Sequence, residues 1–311
     1  MMEMIKSYIL FLAKFLTVLV VLLVLPIVFI ATIVFSAKDS LQKMQPAPSD
    51  KLVAVVELKG EIKSSKEVLE QLYENAKDKD VKGIVLSIDS PGGAVGPSQD
   101  IYNAVNNLKK IKPIVVSMGS VAASGGLYSA MSGSKVFCQP GTTTGSIGVI
   151  MQVPNFTKIA ETVGFDMVTV ASGQYKDTGN PFREFTEQDR TLLMATIQNV
   201  REQFVDDIAK GRNLDRNAVS SFADGRILTG SQAKQLGLVD KFGDVYDAAR
   251  EVFVILGKPL KDDEIPELRY KKDEMSRIKE LLQSVLPASF SAALDRAFGA
   301  NRHSEILARM Y

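Results

Sequence analysis

The sequence predicts an α/β fold with parallel strands. Two observations carry the prediction. From residue 51 onward the pattern reads strand, helix, strand, helix, strand, and the later strand segments give way to turns rich in glycine, serine and threonine. Strands joined through a helix run parallel by right-handed crossovers, and such folds place their chemistry in the turns beyond the carboxyl ends of the strands. The chain has 311 residues, 46% of them hydrophobic, which supplies a sizeable core for one large or two ordinary domains.

Taken in order, the first feature is a stretch of 23 residues from Phe15 to Ala37 without a charge. As a helix it spans about 35 Å, enough to cross a bilayer and longer than the apolar region of a cleaved signal peptide. Residues 1–37 are therefore predicted to be a retained single-pass membrane anchor, with a kink at Pro26 that membrane helices tolerate. Lys6 and Lys14 precede the span while Lys38 and Lys43 follow it, so the lysine bias does not set its orientation. Residues 38–50, polar with two prolines, read as a linker.

The domain from 51 to 256 opens with the strand "KLVAVVELKG" and a helix in "SSKEVLEQLYENAKDKD", where Val68, Leu69, Leu72 and Tyr73 recur at helical spacing after a candidate serine cap. "VKGIVLSIDS" is a second strand, "PGGAV" a turn, "GPSQDIYNAVNNLKKIK" an amphipathic helix and "PIVVSMG" a third strand. A helix is expected to begin near Ala123 and run through "SGGLYSAM". Its two adjacent glycines each cost about 1 kcal/mol there and require a reason. "SKVFCQPG" is then a short strand and turn, "TTTGSIGVIM" a strand, "NFTKIAETVG" a helix and "FDMVTVASG" a strand. Residues 186–210 form a long helix with an apolar face through Leu192, Leu193, Thr196, Ile197, Val200, Phe204, Val205 and Ile208. Short helical pieces flank "LGLVDKFGD". Residues 257–311 read as a charged, helical tail suited to assembly or loosely held.

Composition removes several function classes. The formal charge is +1, from 37 basic and 36 acidic residues, which gives no field for nucleic acid. Cys138 is the only cysteine and reads as a buried hydrophobe at a strand end, so neither a disulfide framework nor a thiolate metal site is available. The single histidine, His303, lies in the tail and reads as solvated surface. That leaves no histidine triad and no histidine-rich metal site, and no phosphate-binding glycine motif occurs. No metal or organic cofactor is expected.

A serine whose base is an amine remains. A neutral lysine can accept a hydroxyl proton where desolvation or nearby positive charge depresses its pKa. "SMGSVAASGGLYSA" offers Ser120, Ser124 and Ser129. Lys176 follows a predicted strand in "VASGQYKD", at the same edge as Ser124, whereas most other lysines alternate with acids on polar helix faces. Each also has a structural reading: Ser124 as a small residue admitted for helix packing, Lys176 as a surface lysine beside Asp177. The glycines of "SPGGAV" could turn backbone N–H groups toward a developing oxyanion or simply make a turn. Ser146 could aim a lysine amine or only end a strand.

The ordered set "GIVLSIDSPGGAV", "SMGSVAASGGLYSA", "GTTTGSIGVI", "ASGQYKD" and "FADGRILTGSQAKQLGLVDKFGD" resembles the bacterial signal peptide peptidase A family over residues 51–255. The resemblance implies a Clp-protease/crotonase-like fold of repeated β-β-α spiral units. It also implies a Ser-Lys peptidase with Ser124 as nucleophile, Lys176 as general base, Gly93 contributing an oxyanion-hole N–H and Ser146 orienting the lysine. Gly125 and Gly126 would then clear space for the substrate backbone. Further implications are remnant signal peptides or other apolar peptides as substrates, contact with the lipid bilayer, a bacterial cell membrane location with the catalytic domain extracytoplasmic, and a homo-oligomeric ring of eight. With both Ser124 and Lys176 in one domain, a same-chain dyad is expected. Three rivals remain distinct: a Ser-Lys protease acting on other membrane proteins, a noncatalytic membrane scaffold, and an acyl-CoA enzyme of the same broad fold. The last would need no Ser-Lys pair.

Overall fold

In the computed structural model, the described residues are 6–25 without 9, 13 and 19, and 49–271. The expected Pro26 kink, the rest of the apolar span, residues 38–48 of the linker, the tail beyond 271 and His303 lie outside them. The chain divides into Pro48–Lys271 and the terminal segments on either side. Of the latter, the described part is helix α1 (Lys6–Leu25), long and apolar enough to cross a membrane, with its described side chains exposed.

Residues 48–271 are built on an eight-stranded sheet. β1 (Leu52–Ile62), β2 (Gly83–Gly93) and β3 (Ile114–Ala123) run parallel, with α2 (Lys66–Lys77) and α3 (Val95–Leu108) as crossovers. Alternate residues of β1 enter two cores. Ala54, Val56 and Leu58 face the larger one, while Val53 and Val55 pack with Val85, Val115 and Phe137 against α9 (Val245–Ile255) through Ala248, Ala249, Val252 and Phe253. Both faces of these strands are covered, as expected of a parallel sheet.

β3 changes partners along its length. Val115–Ser117 pair with β4 (Lys135–Cys138), and Val121–Ala123 pair with β5 (Thr143–Gly145), all parallel. Between the two halves the register against β2 shifts, with Ile88 opposite Met118 but Ser90 opposite Ala122. The Asp89 carboxylate accepts the Val121 N–H at 3.0 Å across this irregularity. The bend carries the end of β3 away from β4 and delivers it to α4 (Gly125–Ala130).

The remainder is α5 (Thr157–Val163), α6 (Glu187–Arg212), α7 (Arg216–Phe222), β6 (Ile227–Thr229), α8 (Gly230–Gln235), β7 (Lys241–Phe242) and β8 (Glu267–Tyr270). β6 pairs antiparallel with β5, and β7 parallel with β4. Several expectations need correction. "PGG" is not a separate turn but the extended end of β2, with Glu61 and Ile62 of β1 opposite Gly92 and Gly93. "FDMVTVASG" forms no strand and "TTTGSIGVIM" is strand only to Gly145, because among the described residues no strand pairs with the remainder. On α6, Phe204, Val205 and Ile208 are buried but Leu192, Leu193 and Ile197 only partly so. β8, in sequence read as tail, pairs parallel with β1 over Leu52–Val55.

Candidate active site

The site begins with backbone geometry. Ser124, between β3 and α4, has φ 51° and ψ −119°, a conformation that costs a non-glycine residue about 1–3 kcal/mol and persists only where its surroundings hold it. Two bonds do so directly. The Ser124 N–H donates to Gly145 O at 2.9 Å, and the Tyr128 N–H donates to Ser124 O at 2.8 Å. Behind them, Thr144 Oγ1 donates to Ala122 O and Thr142 Oγ1 to Gly119 O, fixing β5 to the bent half of β3.

The glycines on either side let two backbones touch. A Cβ on Gly92, φ +104°, would stand 2.7 Å from Gly125 N and 2.9 Å from Ser124 Cβ. A Cβ on Gly125 would stand 2.4 Å from Ser98 Oγ, and one on Gly126 would stand 2.7 Å from Ser90 O. Gly125 and Gly126 are both buried. Their absent side chains therefore make room for β2 and α3 rather than for a substrate, which corrects the sequence reading of this pair. Ser90, itself fully buried, donates from Oγ to Gly60 O at 2.6 Å and accepts the Gly92 N–H at 3.1 Å. Ser129 is buried with its hydroxyl on Gly125 O, while Ser120 is exposed on β3. Cys138 is buried, and burial pushes its thiol up to about 11.

Ser146 follows directly on β5, next to the Gly145 that receives the Ser124 N–H. It too has a positive φ, 51°, and donates its N–H to Arg226 O at 2.7 Å. Ser124, Ser146 and the "SPGG" strand end thus meet at one edge. Lys176 is not drawn into hydrogen-bonding contact with them. It lies exposed in a turn, its N–H donated to Gly173 O at 3.0 Å, and among the described residues no hydrogen bond joins its amine to Ser124 or Ser146.

Lys176 belongs to an arm, residues 149–186, that is largely uncovered. Val168 is 83% exposed and Val170 94%, and of α5 only Ala160 is buried. The arm holds itself together through Phe182, which faces Phe156 at 6.1 Å and Phe165 at 5.3 Å. Arg183 comes next and is the residue sequence reasoning missed. Its Nε donates to Asp177 Oδ2 at 2.7 Å, Nη2 to Asp177 O and Asp189 Oδ1 at 2.9 Å each, and Nη1 to Asp189 Oδ2 at 2.6 Å and Glu184 O at 2.8 Å. Asp189 in turn closes the capping box of α6 with Thr186. The Arg183 guanidinium holds both the Asp177 and the Asp189 carboxyl below the usual carboxylate range. Two adjoining open cavities of about 290 and 430 Å³ lie against the partly buried half of α6, sharing Met151, Met194 and Ile197.

A serine held at a strained strand-to-helix junction, against a glycine strand end, suits a serine peptidase, and the comparisons with known proteins give that class. The family model of peptidase family S49 matches residues 106–254. A predicted protease of Synechocystis sp. is 40% identical over 209 residues, 67% of this chain and 75% of that protein. The chain belongs to peptidase family S49. A predicted signal peptide peptidase SppA of Enterococcus faecium is 38% identical over 206 residues, which are 66% of this chain and 59% of that one. Protease 4 of Haemophilus influenzae is 32% identical over 175 residues, 56% of this chain but 28% of its own length. Among solved structures, a ClpP1 variant from Listeria monocytogenes aligns with TM-score 0.44 and 19% identity, covering 63% of this chain and 94% of that one.

Proposed function

We propose that this chain is a membrane-anchored Ser-Lys endopeptidase that cuts remnant signal peptides or similar apolar peptides at the bacterial membrane, its catalytic domain on the extracytoplasmic side. The observation that carries the reading is the strained Ser124 backbone, held against the glycine end of β2. In the mechanism, Ser124 Oγ attacks the peptide carbonyl carbon as its proton passes to the Lys176 amine. The amine then protonates the departing peptide nitrogen, and a water activated by the same amine hydrolyses the acyl-enzyme. Ser146 orients the lysine.

Gly93 is the oxyanion donor in this reading for a specific reason. The Gly92 N–H is committed to Ser90 Oγ and the Ala94 N–H to Ile62 O at 2.8 Å, while Gly93 N lies 3.3 Å from where a Cβ of Gly125 would stand, next to the nucleophile. A donor in that place is worth about 3–4 kcal/mol in acyl transfer. The name of the Enterococcus relative supports signal peptides as the substrate class, and α1 supports the anchor. The fold in this reading is the family's repeated β-β-α spiral.

The exposed arm favours a homo-oligomeric ring, for which we take eight copies from the family resemblance. An uncovered run of apolar side chains from Ile150 to Val170 suits a second copy of the same chain. It also favours a base delivered between copies rather than within one, since Lys176 rides on that arm and makes no bond to Ser124 in a single chain. One experiment addresses both points. Ser124→Ala and Lys176→Ala proteins, each purified in detergent, should cleave an apolar signal-sequence peptide at less than a hundredth of the parent rate. Full cleavage by both would end the dyad reading. Co-assembling the two variants should restore a fraction of the activity if the base crosses between copies, whereas no recovery from a verified mixed assembly would return the dyad to one chain.

A further inference from the structure

We propose that Arg183 is a positioning residue for the general base, clamping the turn that carries Lys176 to the first turn of α6. The inference rests on the reading of Lys176 as base and adds a residue to it.

The geometry is that of a hub. Arg183 sits six residues after Asp177 and six before Asp189, and it meets both carboxylates and the Asp177 carbonyl. Asp177 follows Lys176 directly, so the Asp177 main chain, held through its own carbonyl, adds a fixed point on the far side of the base to the Lys176 N–H bond to Gly173 O on the near side. On the other side Asp189 is buried, bidentate to the guanidinium, and accepts the Thr186 N–H at 3.0 Å and hydroxyl at 2.8 Å within the capping box. A planar fork with all its donors engaged fixes direction as well as distance, which a lysine in the same place would not do.

The rest of the arm shows why a clamp is needed. Its turn from Ser172 to Lys176 is solvent-exposed and belongs to no helix or sheet. Besides the guanidinium, Asn180 Nδ2 donates to Asp177 Oδ1 at 2.8 Å, and Gln188 Nε2 reaches Tyr175 OH at 3.5 Å. α6, to which the clamp attaches, is itself anchored in the body of the chain: Tyr128 on α4 bonds the Asp207 carboxylate, and Tyr102 OH on α3 donates to Asp207 O at 2.9 Å. α6 therefore fixes the base turn to the folded body of its own chain, whichever copy's serine the base serves. A base placed about an ångström off its productive position loses much of its effect.

The test is a double-mutant cycle in the full chain, with the fluorogenic ester of an apolar peptide as substrate and melting temperature and assembly mass followed in parallel. Arg183→Met should lower kcat about 30-fold with KM within twofold of the parent. Asp177→Asn, which leaves the Arg183–Asp189 pair and the α6 cap in place, should lower kcat about fivefold to tenfold and covers the case in which the first variant fails to assemble. In the Lys176→Ala background neither change should cost anything further, because a positioning residue has no effect once its client is gone. Parent-like kcat in Asp177→Asn, or losses that multiply with that of Lys176→Ala, would overturn the clamp while leaving the base intact. Full activity of Lys176→Ala would remove the base itself, and the clamp with it.

Discussion

The surroundings of Ser124 and the arm that carries Lys176 are built on opposite plans. Ser124 is flanked in the chain by small residues, and Ala122, Ala123, Gly125 and Gly126 are buried. The strained φ of Ser124 is held there by a sheet ladder, a helix and the end of β2. Around Lys176 there is no sheet among the described residues, most apolar side chains are exposed, and the turn is held by the Phe182 ring contacts, a few turn bonds and the side-chain bonds of Arg183. The first region is finished by folding, whereas the second has an open face. The lesson is that the backbone at Ser124 can be strained because it is enclosed, whereas the arm bearing Lys176 is left open to a partner.

The largest expected effect comes from forcing a side chain into the enclosed half. Gly92→Ala puts a Cβ at 2.7 Å from Gly125 N at a φ of +104°. Strain and overpacking together should cost about 3 kcal/mol, with activity down more than 100-fold because Ser124 must move. Gly257→Ala is the control, since its φ of +71° is also positive but nothing lies within 4 Å. It should cost about 1 kcal/mol with activity unchanged. Equal activity losses in the two would erase the contrast between a functional close approach and ordinary backbone strain.

Next in size is the open half. Val170→Asp places a charge on a side chain that is 94% exposed in the single chain. The melting of residues 48–271 should stay within about 0.5 kcal/mol of the parent, as for surface changes generally. If a second copy covers the arm, the same change should reduce the assembly mass measured in detergent and lower activity at least tenfold. Unchanged mass and activity would mean that no copy sits there. A smaller effect is expected of Tyr128→Phe, which removes the hydroxyl bonded to the Asp207 carboxylate and leaves that ring against Phe204 at 4.4 Å. The loss should be about 1–2 kcal/mol in denaturant unfolding, with kcat within a few-fold.

How much of this was visible in the sequence follows the same division. The enclosed half was largely legible. Alternating strands and helices fixed β1, α2, β2, α3 and β3, while the run of small residues at the end of β3 offered Ser120, Ser124 and Ser129, and only the family resemblance selected Ser124. The purpose of Gly125 and Gly126 was not, because close packing and open space for a ligand leave the same glycine in the sequence. In the arm, "FDMVTV" has the alternation of a strand, but alternation reports two unlike faces and not the presence of a partner edge. β8 is four residues after a polar stretch and carries no pattern long enough to read. Arg183 was hidden for a further reason. Its carboxylate partners lie six residues away on either side, a spacing that neither helix nor strand makes adjacent.

Acid should separate the halves with the smallest effect. Asp177 and Asp189 are held below the usual carboxylate range by the hydrogen bonds of Arg183, Asp189 also by the backbone N–H of Thr186. A carboxylate depressed in the folded state contributes stability that is fully present above its unfolded value, about 3.9, and is lost as pH falls through the folded value. The clamp should thus be indifferent to pH between about 8 and 5 and weaken only below about 4. The strand ladder around Ser124 contains no such pair. Hydrogen exchange on the full chain should accordingly show residues 173–183 losing protection below pH 4 while 114–130 keep theirs. Loss of protection in 173–183 already at pH 5 to 6 would show that the carboxylates do not hold the arm, and the contrast between the two halves would then rest on burial alone.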